Sequence, residues 1–212
     1  MSFRTAIKKY AEVPISRHVI MDLLREYRRP NDKISELIKS KSLISVRRGL
    51  YITGPNLDLP SPSPFLIANH LRGPSYVSLE SAMSYWEMIP ERVYEISSAT
   101  TKSSKIYKSN AGRFSYQQLK FPYYAYGLKS MTHSAKQSFL IATPEKALCD
   151  KIILTPNLQL RSIKQTRDFL IDDLRIDRER LGTLDVKHIN SWIEHAPKKS
   201  SLEMLSKTLE TL

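Results

Sequence analysis

The chain has 212 residues, 41% apolar and 25% charged, the balance of a folded globular protein and not of a disordered one. Its 33 lysines and arginines against 21 acids give a net charge of +12, a basicity that commonly goes with polyanionic partners and is also met in proteins without any. The single cysteine, Cys149, excludes an internal disulfide, no apolar run approaches the roughly 18 residues of a membrane span, and the opening MSFRTAIKKY lacks the apolar core of a secretion signal; a soluble, cytoplasmic protein is expected.

Phe3, Ala6, Ile7 and Tyr10 fall at helical spacing and predict a short amphipathic first helix with Lys8 and Lys9 in water. After Pro14, Ser16 is placed to cap a second helix, along which Ile20, Leu23, Leu24 and Tyr27 form a continuous apolar stripe. A third helix begins after Arg28, Arg29 and Pro30, capped by Asn31 or Asp32, and buries Ile34, Leu37 and Ile38. The segment SLISVRRGLYIT, residues 42–53, then alternates apolar residues around Arg47, Arg48 and Gly49, the pattern of a hairpin whose glycine supplies a positive backbone angle.

Three short helices and a hairpin are the element order of a winged helix-turn-helix, in which the third helix enters the major groove and the hairpin is the wing. On that reading Asn31, Lys33, Ser35 and Lys39 face the base edges, while Arg28, Arg29, Lys41, Arg47 and Arg48 meet phosphates. Twelve basic residues against six acidic ones precede Pro60, so half of the excess charge lies in little more than a quarter of the chain. Asp32 and Glu36 oppose it locally, and a small winged helix can also serve as a protein-docking module.

GPNLDLPSPSP, residues 54–64, has four prolines and reads as a stiff connector. Beyond it, helices are expected from Phe65 to Leu71 and, capped by Ser78, along Leu79, Ala82, Met83 and Trp86. Short β-prone runs follow, VYEISSA, SKIYK, GRFSYQQL, YYAYGL and QSFLIA, and predict an antiparallel sheet. Thr143 and Pro144 then open a helix that buries Leu148, Cys149 and Ile152, and further helices are expected over residues 163–174, 186–195 and 201–212. The whole reads as an α+β protein: a winged helix-turn-helix over residues 1–56, then a larger α+β domain over 57–212 with a mostly antiparallel sheet and C-terminal helices.

No aspartate or glutamate occurs between Ile96 and Pro144, where Lys102, Lys105, Lys108, Arg113, Lys120, Lys129 and Lys136 alternate with aromatics that include Tyr116 and Tyr124. Such a face can stack single-stranded nucleic acid or draw in an acidic partner protein. Period-two alternation favours the plainer arrangement, with the aromatics in the core and the lysines in water.

Six scattered glycines form no phosphate-cradling loop, and the five histidines include no close ligand pair. Glu145 and Asp150 suit a helix start better than acid–base chemistry, so neither cofactor, metal nor catalytic residue is expected, and the chain does not read as an enzyme.

Three pieces, VRRGLY at residues 46–51, YVSLESAM at 76–83 and IATPEKALCD at 141–150, come in an order and spacing that resemble the AbiEi-type antitoxins of type IV toxin/antitoxin systems. The resemblance implies an N-terminal winged helix-turn-helix that binds inverted repeats in its own promoter and represses the operon. It also implies a C-terminal domain that counters a nucleotidyltransferase-like toxin without a stable complex. On this resemblance Arg47 and Arg48 take the wing's phosphate contacts and the helix from Asn31 to Ser40 takes base readout, while the basic aromatic run offers Lys102, Lys105, Lys108, Arg113, Tyr116, Lys120 and Tyr124 as the candidate antitoxin face.

Overall fold

The computed structural model describes residues 3–212, so Met1 and Ser2 of the expected N-terminal domain lie outside the described residues. The chain is a mixed α+β protein with an N-terminal helical region and two sheets. Helix α1 (Phe3–Ile7) runs into a 3-10 turn at Lys8–Tyr10, and is followed by β1 (Ile15–Ser16), α2 (Arg17–Leu23), α3 (Pro30–Lys39), β2 (Leu43–Arg47) and β3 (Leu50–Thr53). The three strands form an antiparallel sheet in the order β1-β3-β2. Strand β1 was not expected: two residues carry no period-two signal, and only pairing with Tyr51 and Leu50 makes them a strand.

The hairpin follows its alternation. Leu43 and Tyr51 point into a small core with Phe3, Ile7, Ile15, Ile20, Leu24, Ile34, Leu37 and Leu57. Val46, Leu50 and Ile52 point the other way, into the larger core of the rest of the chain. The hairpin is therefore shared between two cores and is not a free blade, and only its tip is open. The expected stiff connector is also partly folded in: Pro55–Leu57 forms a 3-10 turn, Leu57 is buried, and Gly54 packs where an added Cβ would lie 2.1 Å from the Lys41 carbonyl oxygen.

The larger part contains α4 (Pro64–Leu71), β4 (Ser75–Val77), α5 (Leu79–Tyr85), β5 (Glu95–Thr100), β6 (Lys105–Ser109), β7 (Gly112–Gln118), β8 (Leu128–Ser134), β9 (Gln137–Ala142) and α6 (Pro144–Leu154). Then come α7 (Ile163–Asp168), which continues as a π-turn at Phe169–Asp173, α8 (Arg178–Gly182), α9 (Val186–Trp192) and α10 (Lys199–Leu209). The six strands are ordered β6-β7-β5-β4-β9-β8. The outer pairs β6–β7 and β8–β9 and the pair β4–β5 are antiparallel, whereas β5–β7 and β4–β9 are parallel. The expectation of a mostly antiparallel sheet thus gives way to a mixed one, because the three-residue β4 enters the middle and brings β9 beside it in parallel.

The run YYAYGL is not a strand. Tyr123–Ala125 forms a 3-10 turn in which Tyr123 and Tyr124 are both buried, so the two neighbours share a core instead of alternating across a sheet. The start of α6 follows the sequence closely: Thr143 Oγ1 accepts from the Lys146 N–H and Pro144 takes the first turn, a cap worth about 1 kcal/mol. Among the described residues, no helix is long and apolar enough to cross a membrane.

Candidate nucleic-acid interface

Helix α3 turns Ile34 and Leu37 inward, which leaves Asn31, Ser35 and Lys39 exposed along its outer face. Lys33 is not among them. Its ammonium folds back to Glu36 at 2.6 Å and lies 5.5 Å from the Tyr27 ring, and the Glu36 hydrogen bond holds its pKa above the ordinary lysine value. The expected readout by Lys33 therefore meets a side chain already engaged by its own helix. Ser35 donates to the Asn31 carbonyl at 3.2 Å, and Arg29 stands 3.8 Å from Asp32; Arg28 and Lys41 are exposed.

The hairpin tip separates the two arginines that the sequence presents as a pair. The register shifts between Ser45 and Arg47, so Arg47 is the last strand residue opposite Leu50, and only Arg48 and Gly49 form the turn. A bulge of this kind re-aims a side chain. Arg47 Nε donates to the Leu71 carbonyl at the end of α4 at 3.1 Å, and its Nη1 donates to the Arg48 carbonyl at 3.2 Å. Arg48 stays exposed at the tip, where Gly49 adopts φ +85°.

One residue that sequence reasoning left out of the site ties these parts together. The backbone N–H of Arg17, the first residue of α2, donates to the Gly49 carbonyl at 3.0 Å. Its guanidinium donates to Asn31 Oδ1 at 2.7 Å. The hairpin tip, the start of α2 and the start of α3 are thereby held as one exposed edge carrying Arg17, Arg48 and Asn31. Farther along α3, a depression of about 590 Å³ is lined by Asp32, Ser35, Glu36, Lys39 and Ser40, and its two carboxylates repel phosphate. The attractive edge is therefore the hairpin tip with Arg17 and the Asn31 end of α3, flanked by Asp32. Nothing in the sequence marks Arg17 beyond its charge, because its two contacts join residues 14 and 32 positions away.

On the second candidate face the plainer arrangement holds, with Tyr116 and Tyr124 in the core and lysines in water, and the stacking platform does not form. Tyr116 and Tyr124 are core residues: the Tyr116 hydroxyl donates to the Ala68 carbonyl at 2.7 Å, and Tyr124 packs 5.0 Å from the Tyr76 ring. They cannot stack bases without leaving the core, so the aromatic platform is corrected to a buried layer. Arg113 is paired with Glu95. Lys102, Lys105, Lys108 and Lys120 are exposed, with Lys105 5.0 Å from the Tyr107 ring. Within this stretch Phe121 is an exposed aromatic, 66% accessible.

The motif IATPEKALCD forms the most enclosed polar cluster. Lys146 and Asp150, one turn apart on α6, are both fully buried and 3.0 Å apart. The Asp150 carboxylate also accepts from the hydroxyls of Ser78 at 2.7 Å, Tyr76 at 2.9 Å and Tyr123 at 3.1 Å. Lys146 donates to the Tyr123 carbonyl at 3.0 Å. Burial lowers the Lys146 pKa and Asp150 pulls it back up. Ser78, read from sequence as a helix cap, spends its hydroxyl on Asp150 instead. Glu145 turns aside to accept from the Asp185 N–H at 3.1 Å. With Lys146 and Asp150 fully buried and bonded to Tyr76, Ser78 and Tyr123, the cluster joins β4, the 3-10 turn and α6.

Neither a scan against protein-family models nor a search of curated proteins returns a match to this chain.

Proposed function

We propose that the N-terminal region is a winged helix-turn-helix that binds duplex DNA, with the first half of α3 in the major groove and the hairpin tip on the backbone. The observation that carries this reading is the Arg17 bridge, which sets Arg17, Arg48 and Asn31 on one exposed edge. With its Oδ1 held by Arg17, Asn31 at the start of an exposed helix keeps its amide N–H groups to donate to a base edge, and the exposed Arg48 suits phosphate. Together with the resemblance to AbiEi-type antitoxins, this makes the protein an autorepressor of its own promoter. The larger domain then carries the antitoxin activity against a nucleotidyltransferase-like toxin. The proposed role is regulatory and not catalytic.

The test is a salt titration of binding to duplex DNA from the chain's own promoter, followed by fluorescence anisotropy. Each phosphate contact contributes a slope of about −0.9 in log K against log salt. Arg48→Ala should reduce the magnitude of that slope by about 0.9 on any sequence, whereas Asn31→Ala should weaken the inverted repeat more than random DNA. Slopes and affinities equal to the parent in both variants would remove the assignment.

A further inference from the structure

Between the hairpin and the edge of the larger sheet lies an open cleft of about 530 Å³, whose lining includes Arg47, His70, Arg72, Lys102 and Tyr107 and, among the described residues, no carboxylate. The three strong cations come from three separate segments: the end of β2, the residue after α4 and the loop after β5. Each is anchored from behind. Arg47 Nε donates to the Leu71 carbonyl at 3.1 Å and Lys102 Nζ to the Gly73 carbonyl at 2.6 Å. Arg72 Nη2 donates to the Ser103 carbonyl at 2.6 Å and to its hydroxyl at 3.0 Å, and Nη1 to the Tyr107 hydroxyl at 3.3 Å.

Carbonyls at the end of a helix orient such cations but carry only partial charge, so they do not neutralise them. Among the described residues none of the three forms an ion pair, and Arg72 Nε is buried without a hydrogen-bond partner. Both guanidiniums act on the buried Tyr116 phenol, whose pKa burial raises and Arg72 and Arg47 pull the other way. Three fixed like charges in one depression repel one another, a cost that a bound anion removes. Cations approaching from three chain segments suit a tetrahedral group, and the fork of arginine with the point charge of lysine is a common phosphate grip.

We propose that this cleft binds a phosphate group, and that the bound phosphate clamps the hairpin against the larger domain. The phosphate comes either from a soluble phosphate compound or from the backbone of a duplex lying across the hairpin. The soluble case is independent of DNA binding by the N-terminal region.

The full chain is tested in two arms. In the first, thermal melting is followed against inorganic phosphate at constant ionic strength. A saturable rise in melting temperature is expected for the parent and for Lys164→Gln, on the distant α7, and is expected to be lost in Arg72→Gln and Lys102→Gln. In the second, anisotropy with a random-sequence duplex should show the salt slope reduced by about 0.9 in each cleft variant. A response in the first arm alone identifies a soluble phosphate, a response in the second identifies the backbone, and either supports the site. Parental behaviour of both variants in both arms would overturn it. Lys102 is exposed, so its variant is expected to fold, and Lys102→Arg should restore whichever response is lost. Arg48→Ala and Asn31→Ala separate the two proposals: parental slopes and affinities in both, with a positive first arm, remove the DNA assignment and leave the cleft standing.

Discussion

Removing the Asp150 carboxylate should cost more than any other single truncation on α6. In the folded chain it accepts four hydrogen bonds, from Ser78, Tyr76, Tyr123 and Lys146, at 2.7 to 3.1 Å, in a place with no solvent access. Asp150→Ala leaves three buried hydroxyls without that acceptor, each costing about 1–3 kcal/mol, and strands the Lys146 cation with one backbone carbonyl. Breaking a buried ion pair from one side costs about 3–5 kcal/mol in comparable settings. Lys146 can limit the loss by shedding its proton, since burial already lowers its pKa. The ion-pair figure already contains part of the cost of the stranded groups, so the two are not summed, and the expected net loss is about 4 kcal/mol, a large part of the 5–15 kcal/mol by which domains are stable. Tyr76→Phe, which deletes one donor and strands nothing charged, should cost only about 1–2 kcal/mol. Urea unfolding followed by tryptophan fluorescence, with Lys146→Met, Asp150→Leu and the double variant, gives the coupling energy. The double variant should recover at least about 1 kcal/mol of the summed single losses. Coupling within error of zero, or an Asp150→Ala protein as stable as the parent, would refute the view that this motif is a buried lock.

Alkaline pH should destabilise the fold early. Burial pushes the Cys149 thiol up to about 12 and the Tyr124 phenol up to about 12. The folded chain thus keeps protons that the unfolded chain loses from about pH 8.5 and about pH 10 upward. Stability is full below that window and falls through it by about 1.4 kcal/mol per pH unit for each such group. Urea midpoints between pH 7 and 11 measure the decline, and Cys149→Ala should flatten its first part. Gly54→Ala should lower the melting temperature by the equivalent of about 1–3 kcal/mol, because its Cβ would meet the Lys41 carbonyl oxygen at 2.1 Å, whereas Gly182→Ala, with nothing within 4 Å, should be neutral or slightly stabilising. Tyr116→Phe should cost about 1 kcal/mol through its bond to Ala68 and leave nucleic-acid binding unchanged in the salt titration.

The local elements were legible wherever a residue's role depends on near neighbours. Ile34 and Leu37 mark the inner face of α3, Thr143 and Pro144 mark the start of α6, and the alternation of Leu43 to Ile52 marks the hairpin, because helical and strand periods are properties of a few consecutive residues. The same alternation says that the hairpin has two apolar faces, but not that each belongs to a different core. Arg47 and Arg48 are adjacent and chemically alike, yet a bulge sends one to the end of α4 and leaves the other at the tip. Tyr116 and Tyr124 sit among lysines in the chain and among core residues in space. Arg17 joins Gly49 to Asn31, and Asp150 gathers donors from Tyr76, Ser78 and Tyr123, across separations no local pattern encodes. Charge and period are written in the chain one residue at a time. Which charges are spent on carbonyls, which are paired in the dry core and which remain free to meet a phosphate depends on what distant segments bring beside them, and folding alone supplies that.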